Sequence, residues 1–292
     1  MSEKEIEIDC DLCGSENKKL VIVENGYPIS RCLNCGFVYV SRIPEIENGK
    51  VIGEYYVEDR AEIETGRKRY EPVTEFLLGE IHRVKSPGKL LDVGCGYGFF
   101  LAAARTARWE VFGIDLSETA IEYARTKNDL ENVACTDFSA GLFDGDRFDV
   151  VNLTNVLEHV PSPTKTLNDC TEVLADSGVL LIRVPNMEFN NLKHTFLPLL
   201  RILGLGKGGD LCYLASPPPL HLTGFSDKTL RKYFAKAGLT TVEIKPSKLS
   251  AAAEESLILR MFEFSVNLLY KITFRRINLS PTILAVARKS VS

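Results

Sequence analysis

Hydrophobic and polar positions follow two regimes along the chain. From Lys89 onward, short apolar runs alternate with amphipathic stretches. Lys89-Leu-Leu-Asp-Val93 reads as a strand, Gly94-Cys-Gly-Tyr-Gly98 as a tight loop, and 99–108 as a helix. A second strand, Trp109 to Ile114, ends at Asp115, and Ser117 is placed to cap a helix whose Ala120, Ile121 and Ala124 share one face. Asn132 to Thr136 leads into Asp137-Phe138, and Phe148 to Thr154 is a fourth strand. The pattern predicts a helix from about Thr164 that ends with Gly178 as its C′ residue, then a strand from Val179 to Val184. Such alternation predicts an α/β fold: a mostly parallel sheet with helices on both faces. Ahead of it, Leu20 to Val23 and Phe37 to Val40 read as strands, with Asn25-Gly26 as a hairpin turn.

Two later segments fit neither regime. Leu192 to Leu205 is apolar around Pro198, followed by Gly206, Gly208 and Gly209, with Pro217-Pro-Pro219 closing it. This is either a lid-like insertion at about 190–220 or a surface insertion with its own small core. In 254–276, Leu257, Ile258, Met261, Phe262, Val266, Leu268 and Leu269 lie mainly opposite Arg260, Glu263, Asn267 and Lys271. That stripe predicts packing on its own domain or in a homodimer, and Arg275-Arg276 permits peripheral membrane contact.

At 292 residues the chain suits one large domain with an appendage. Hydrophobic residues make up 45% and charged residues 25%, which excludes wholesale disorder. The opening residues are too charged for a signal peptide, and no uninterrupted apolar run is long enough to span a bilayer; the expected location is cytoplasmic. Net charge is −4, and Lys18, Lys19 and Arg31 near the N-terminus are outnumbered by acids, which disfavours a nucleic-acid partner. Arg67-Lys68-Arg69-Tyr70 is the densest basic run, read as a solvated helix face or an anion contact.

Cys10-Asp-Leu-Cys13 and Cys32-Leu-Asn-Cys35 have the spacing of a zinc ribbon, in which each pair turns two thiolates toward one tetrahedral ion. Four ligands close the shell, so the expected Zn²⁺ is structural. Cys95, Cys135, Cys170 and Cys212 read as small core hydrophobes.

Glycines at 94, 96 and 98 let backbone approach a ligand, and Asp115 at the second strand's end suits two ribose hydroxyls. Phe99 stands where a dinucleotide fingerprint needs glycine, so the loop fits a nucleoside carrying an amino acid better than a pyrophosphate.

Leu91-Asp-Val-Gly-Cys-Gly-Tyr-Gly98, Gly113-Ile-Asp-Leu116, Asp137-Phe138 and Asn155-Val-Leu-Glu-His-Val160 resemble the successive motifs of class I S-adenosylmethionine-dependent methyltransferases. The resemblance covers roughly residues 70–289. With the cysteine pairs and Glu54-Tyr-Tyr56, it extends to a subgroup with an N-terminal zinc ribbon, many of whose members act in sugar, polysaccharide or other secondary metabolism. It implies a Rossmann-like seven-stranded sheet with the last strand antiparallel, preceded by a small zinc ribbon. The boundaries implied are 1–45 for the ribbon, 46–88 for a linking helical segment and 89–292 for the core. S-adenosylmethionine is the implied cofactor and S-adenosylhomocysteine its product.

By the same resemblance, Asp92 braces the glycine loop, while Gly94, Cys95, Gly96 and Gly98 lie along the methionine and ribose. Asp115 takes the ribose hydroxyls and Leu116 packs on adenine. Asp137 accepts from the adenine amine, Phe138 offers backbone to the ring, and Asn155 meets the methionine moiety. His159 and His221 are the candidate general bases, since a hydroxyl acceptor is a poor nucleophile while protonated. Ubiquinone-type O-methyltransferases share Glu158-His159 within an E-x-x-E-H cluster that can bind a divalent metal. Here Asn155 replaces the first glutamate, which argues against a second metal and a catechol-like acceptor. The implied acceptor is a small molecule or glycan precursor methylated on a hydroxyl or carbon. RNA, protein and lipid-linked acceptors are the alternatives.

Overall fold

A computed structural model describes residues 5–44, 60–143, 145–202, 212–249 and 256–290. Glu54-Tyr-Tyr56 with the rest of 45–59, and the glycine cluster after Leu205, lie outside the described residues.

The N-terminal strands are β1 (Glu5–Glu7), β2 (Lys18–Glu24), β3 (Tyr27–Cys32), β4 (Val38–Val40) and β5 (Arg42–Pro44). After them come α1 (Arg60–Val84), β6 (Lys89–Val93), α2 (Phe99–Thr106), β7 (Glu110–Asp115), α3 (Glu118–Lys127), β8 (Val133–Cys135) and β9 (Phe148–Thr154). The remainder is α4 (Pro163–Val173), β10 (Leu174–Pro185), α5 (Met187–Ile202), β11 (Thr223–Gly224), α6 (Asp227–Lys236), β12 (Leu239–Pro246), α7 (Leu257–Ile272) and β13 (Thr282–Lys289).

The main sheet has the order β12-β13-β10-β9-β6-β7-β8. Strands β8, β7, β6, β9 and β10 are mutually parallel, while β13 runs antiparallel to β10 and to β12. This is the expected Rossmann-like sheet. Alternation along each strand divides the core in two. Leu90, Val150 and Leu181 join Val73, Leu77 and Ile81 of α1, Leu101 of α2 and Ile121 of α3 on one face. Leu91, Val151 and Ile182 join Leu167 of α4 and Leu230 and Phe234 of α6 on the other.

Gly178 does not end a helix. Helix α4 stops at Val173, where Leu174 turns extended, and Gly178 sits inside β10 beside a register shift. A Cβ on Gly178 would lie 2.8 Å from the Phe148 carbonyl oxygen, so close strand contact rather than helix capping explains the residue.

Strand β4 pairs with β11, so a segment between α5 and α6 completes a four-stranded sheet with β2 and β3. Cys10, Leu12, Phe37 and Tyr39 belong to the same core cluster as Leu91 and Phe225. Asp11 accepts from the Ser162 hydroxyl (2.7 Å) and the Thr164 amide (2.8 Å) at the start of α4. The segment after β10 also packs on these strands, with Met187, Tyr213 and Leu214 in one cluster with Ile29 and Val40. The run 67–70 lies on α1, where Arg67 pairs with Glu64 and residues 68–70 are exposed.

The apolar stripe of α7 divides. Val266 and Tyr270 are buried, whereas Leu257, Met261 and Leu268 point to solvent. The expected single packed face is therefore two stripes, of which one is covered.

Candidate active site

The carboxyl ends of the parallel strands surround a cavity of about 270 Å³. Such crevices are where open α/β sheets bind ligands. Its lining includes Gly94, Asp115, Leu116, Asp137, Phe138 and Asn155, six of the sequence candidates, together with His159.

Gly94 has φ +74°, and a Cβ there would fall 2.4 Å from Cγ2 of Val156, so only glycine fits between β6 and the residues after β9. The amides of Gly94 and Cys95 both donate to the Ile114 carbonyl, which folds the loop back on β7. Asp115 then clamps it: Oδ2 accepts from the Gly96 amide (2.8 Å) and Oδ1 from the Ser117 amide (2.9 Å). Asp137 Oδ1 accepts from the Phe138 amide. Asn155 sits at φ +56° and its Oδ1 accepts from Nη1 of buried Arg183 (2.6 Å).

Four candidates, Asp92, Cys95, Gly96 and Gly98, lie off the cavity lining. The Cys95 side chain is buried in the core beside Leu101, which fits the reading of that thiol as a small hydrophobe. Gly98 faces Leu130 and Ala124 as α2 begins. Asp92 is fully buried behind the loop, where its Oδ1 accepts from Nδ2 of Asn152 (2.7 Å) and desolvation pushes its pKa up to about 7. Gly96 contributes its amide to Asp115.

His159 and His221 come together from positions 62 residues apart in sequence, with ring centroids 4.8 Å apart and edge to face. His159 lines the cavity; His221, buried, stands behind it. Nδ1 of His159 lies 2.7 Å from the Leu220 carbonyl oxygen and Nδ1 of His221 lies 2.6 Å from that of Leu214. Each Nδ1 therefore carries the proton, leaving Nε2 basic. Burial lowers the pKa of His159, and burial with His159 beside it takes His221 down to about 4.

Glu158 was not among the expected site residues. Its side chain is buried, neither carboxyl oxygen has a hydrogen-bond partner among the described residues, and desolvation raises its pKa to about 8. Oε1 lies 4.0 Å from Nε2 of His159. Glu158, His159 and His221 bring one donor atom each within 4.8 Å of one another, a grouping the comparison with the E-x-x-E-H cluster does not foresee, because His221 comes from another segment. That segment is tied down by the amides of Leu222 and Thr223, which donate to the Glu158 carbonyl, and by the Val40 amide of β4, which donates to the Leu222 carbonyl.

The four N-terminal cysteines form a second cluster, with Sγ of Cys10 3.4 Å from Cys35 and Sγ of Cys13 3.5 Å from Cys32. All four sulfurs lie within 4.8 Å of one another, bracketing the spacing of about 3.8 Å that zinc–sulfur bonds near 2.3 Å require in a tetrahedron. Gly14 (φ +69°) and Gly36 (φ +83°) close the two turns by donating to the carbonyls of Cys10 and Cys32. The donor set fits zinc.

A methyltransferase-domain family profile matches residues 63–244, well over half of the chain. The chain belongs to that methyltransferase family. A ubiquinone biosynthesis O-methyltransferase of Coxiella burnetii is 28% identical over 142 residues, 47% of this chain and 61% of that protein. Its counterpart from Aromatoleum aromaticum is 30% identical over 163 residues, 53% of this chain and 65% of that one. The chain thus spans about three fifths of the curated relatives it matches. Among solved structures, a SAM-dependent methyltransferase from Archaeoglobus fulgidus superposes with a TM-score of 0.51 at 20% identity, covering 79% of this chain and all of that one. That likeness concerns the fold.

Proposed function

We propose that this methyltransferase moves the methyl group of S-adenosylmethionine to a small-molecule acceptor, with His159 as general base and a structural zinc on Cys10, Cys13, Cys32 and Cys35. The observation that carries the reading is one cavity lined by Gly94, Asp115, Asp137 and Asn155 together with His159. The bound cofactor would supply an electrophilic methyl carbon, so the chain's own work is alignment and proton removal.

In this reading Asp115 holds the ribose hydroxyls, Leu116 and Phe138 pack on the adenine, and Asp137 accepts from its amine. Gly94, Gly96 and the backbone at Asn155 receive the methionine part, while Asp92, held by Asn152, stiffens the loop from behind. Nε2 of His159 takes the acceptor's proton, with the Leu220 carbonyl fixing the tautomer and the Glu158 carboxyl 4.0 Å away. His221 positions His159 by packing edge-on.

Names of the O-methylating relatives support a hydroxyl acceptor. A sugar or glycan-precursor hydroxyl is the finer proposal, resting on the resemblance to ribbon-bearing methyltransferases. The boundaries 1–45, 46–88 and 89–292, and the insertion at about 190–220, belong to the same proposal.

Methyl-labelled S-adenosylmethionine incubated with the enzyme and fractionated extract of the source organism tests it. Label in the small-molecule or glycan fraction is expected. Label confined to RNA or protein would overturn the acceptor reading.

A further inference from the structure

Helix α7 carries apolar side chains on two opposite sides. Val266 and Tyr270 pack inward, and the Tyr270 hydroxyl donates to the Ile244 carbonyl (2.5 Å), which holds the helix on β12. The other side is open. Leu257 (70% exposed), Met261 (62%), Phe264 (68%), Leu268 (46%) and Ile272 (62%) follow helical spacing along one stripe facing water. Past the helix end the chain turns through left-handed backbone at Phe274 (φ +52°) and Arg275 (φ +64°), and Phe274 is 86% exposed. A non-glycine pair in that conformation costs free energy and here holds an aromatic ring in water.

Charge identifies the occupant. Arg260 and Lys271 border the stripe on one side and Arg276 sits beside Phe274, all three exposed, while Arg275 is paired with Glu243 (2.7 Å). The only acid in α7, Glu263, is turned away toward Lys248 (3.6 Å). A second copy paired antiparallel across the stripe would set the Arg260 side against the Lys271 side, cation against cation. An anionic bilayer meets the same stripe with lipid tails for the apolar residues and headgroups for the cations. Among the described residues no helix is long and apolar enough to cross a membrane, so α7 would lie in the interface.

We propose that α7 and the Phe274 turn form a docking surface for anionic lipid bilayers, separate from the methyl-transfer site. Lys248, which meets Glu263 of α7, stands two residues past the carboxyl-terminal end of β12, and β12 runs parallel to β10, so the amino-terminal half of α7 lies at the same end of the sheet as the cavity. Docking would bring the cavity near the membrane plane.

Sedimentation with vesicles tests this. The full chain should pellet with vesicles of phosphatidylcholine containing about a third phosphatidylglycerol, and at least tenfold less with phosphatidylcholine alone. The exposed-site variant Phe264→Asp/Leu268→Asp should lose binding at least tenfold while its melting temperature and S-adenosylhomocysteine affinity stay unchanged. Arg260→Gln/Lys271→Gln should lose only the preference for anionic lipid. The proposal is overturned if the unaltered chain stays in the supernatant. It is equally overturned if sedimentation velocity shows a dimer that Phe264→Asp/Leu268→Asp dissociates, since a second copy then covers the stripe.

Discussion

The two ends of the cavity are built differently. The proposed cofactor end is local: the loop after β6, the end of β7 and the turn after β8 each present one or two residues, and Asp115 ties them together, its carboxylate accepting from the Gly96 and Ser117 amides and its carbonyl from the Thr136 amide. The proposed acceptor end is remote. His159 follows β9, but its tautomer depends on Leu220, and His221 depends on Leu214 and on a strand pairing with β4 of the cysteine-bearing unit. A loop that carries its own clamp tolerates damage elsewhere. A wall assembled from three segments fails when any one of them loosens.

The largest effect expected from breaking this contrast is that of metal removal. A structural zinc contributes roughly 10 kcal/mol or more of apparent binding energy, and Cys10, Cys32 and Cys35 share a core with Phe37, Tyr39 and Phe225. Chelation should release about one zinc per chain, lower the melting temperature by more than 10 °C or so, and abolish turnover before S-adenosylhomocysteine binding is lost. An unchanged melting curve would detach the ribbon from the wall.

Next in size is His159→Ala, expected to lower kcat by roughly 10²–10⁴-fold with S-adenosylhomocysteine affinity within about twofold, by steady-state kinetics and calorimetry. Asp115→Ala should do the converse, weakening S-adenosylhomocysteine by on the order of 100-fold through two lost charged hydrogen bonds.

The smallest effect is on stability against pH. His221 titrates near 4 when folded and near 6.5 when unfolded, so between these values the unfolded chain binds more protons, and stability falls as pH drops. Glu158 has the opposite sign: folded it keeps its proton to about pH 8, unfolded it releases it near 4.5, so stability falls as pH rises through that window. Glu158→Gln should flatten the alkaline side by a few kcal/mol at most, leaving the acid side and the smaller contribution of Asp92 in place. Urea titrations from pH 5 to 8 would show it.

The contrast also explains what could be read from residues alone. The strands at 89–93, 148–154 and 282–289 announce themselves by apolar runs, and Gly94, Asp115 and Asp137 by spacing, because each depends on its neighbours in sequence. The His159–His221 contact, the burial of Glu158 and the Asp92–Asn152 pair depend on tertiary packing and leave no periodic trace. The hints for Glu158 are an acid beside a histidine at a strand end and the likeness of that pair to the E-x-x-E-H cluster. Gly178 misled because glycine serves both helix ends and close strand contacts. The α7 stripe misled because periodicity shows that a face is apolar, not that anything covers it.

A crystal structure with S-adenosylhomocysteine bound is the most direct test of the central claim. The ribose should lie on Asp115 and the adenine between Leu116 and Phe138, with the sulfur facing open space bounded by His159. A ligand seated elsewhere, or one whose sulfur points away from His159, would contradict it.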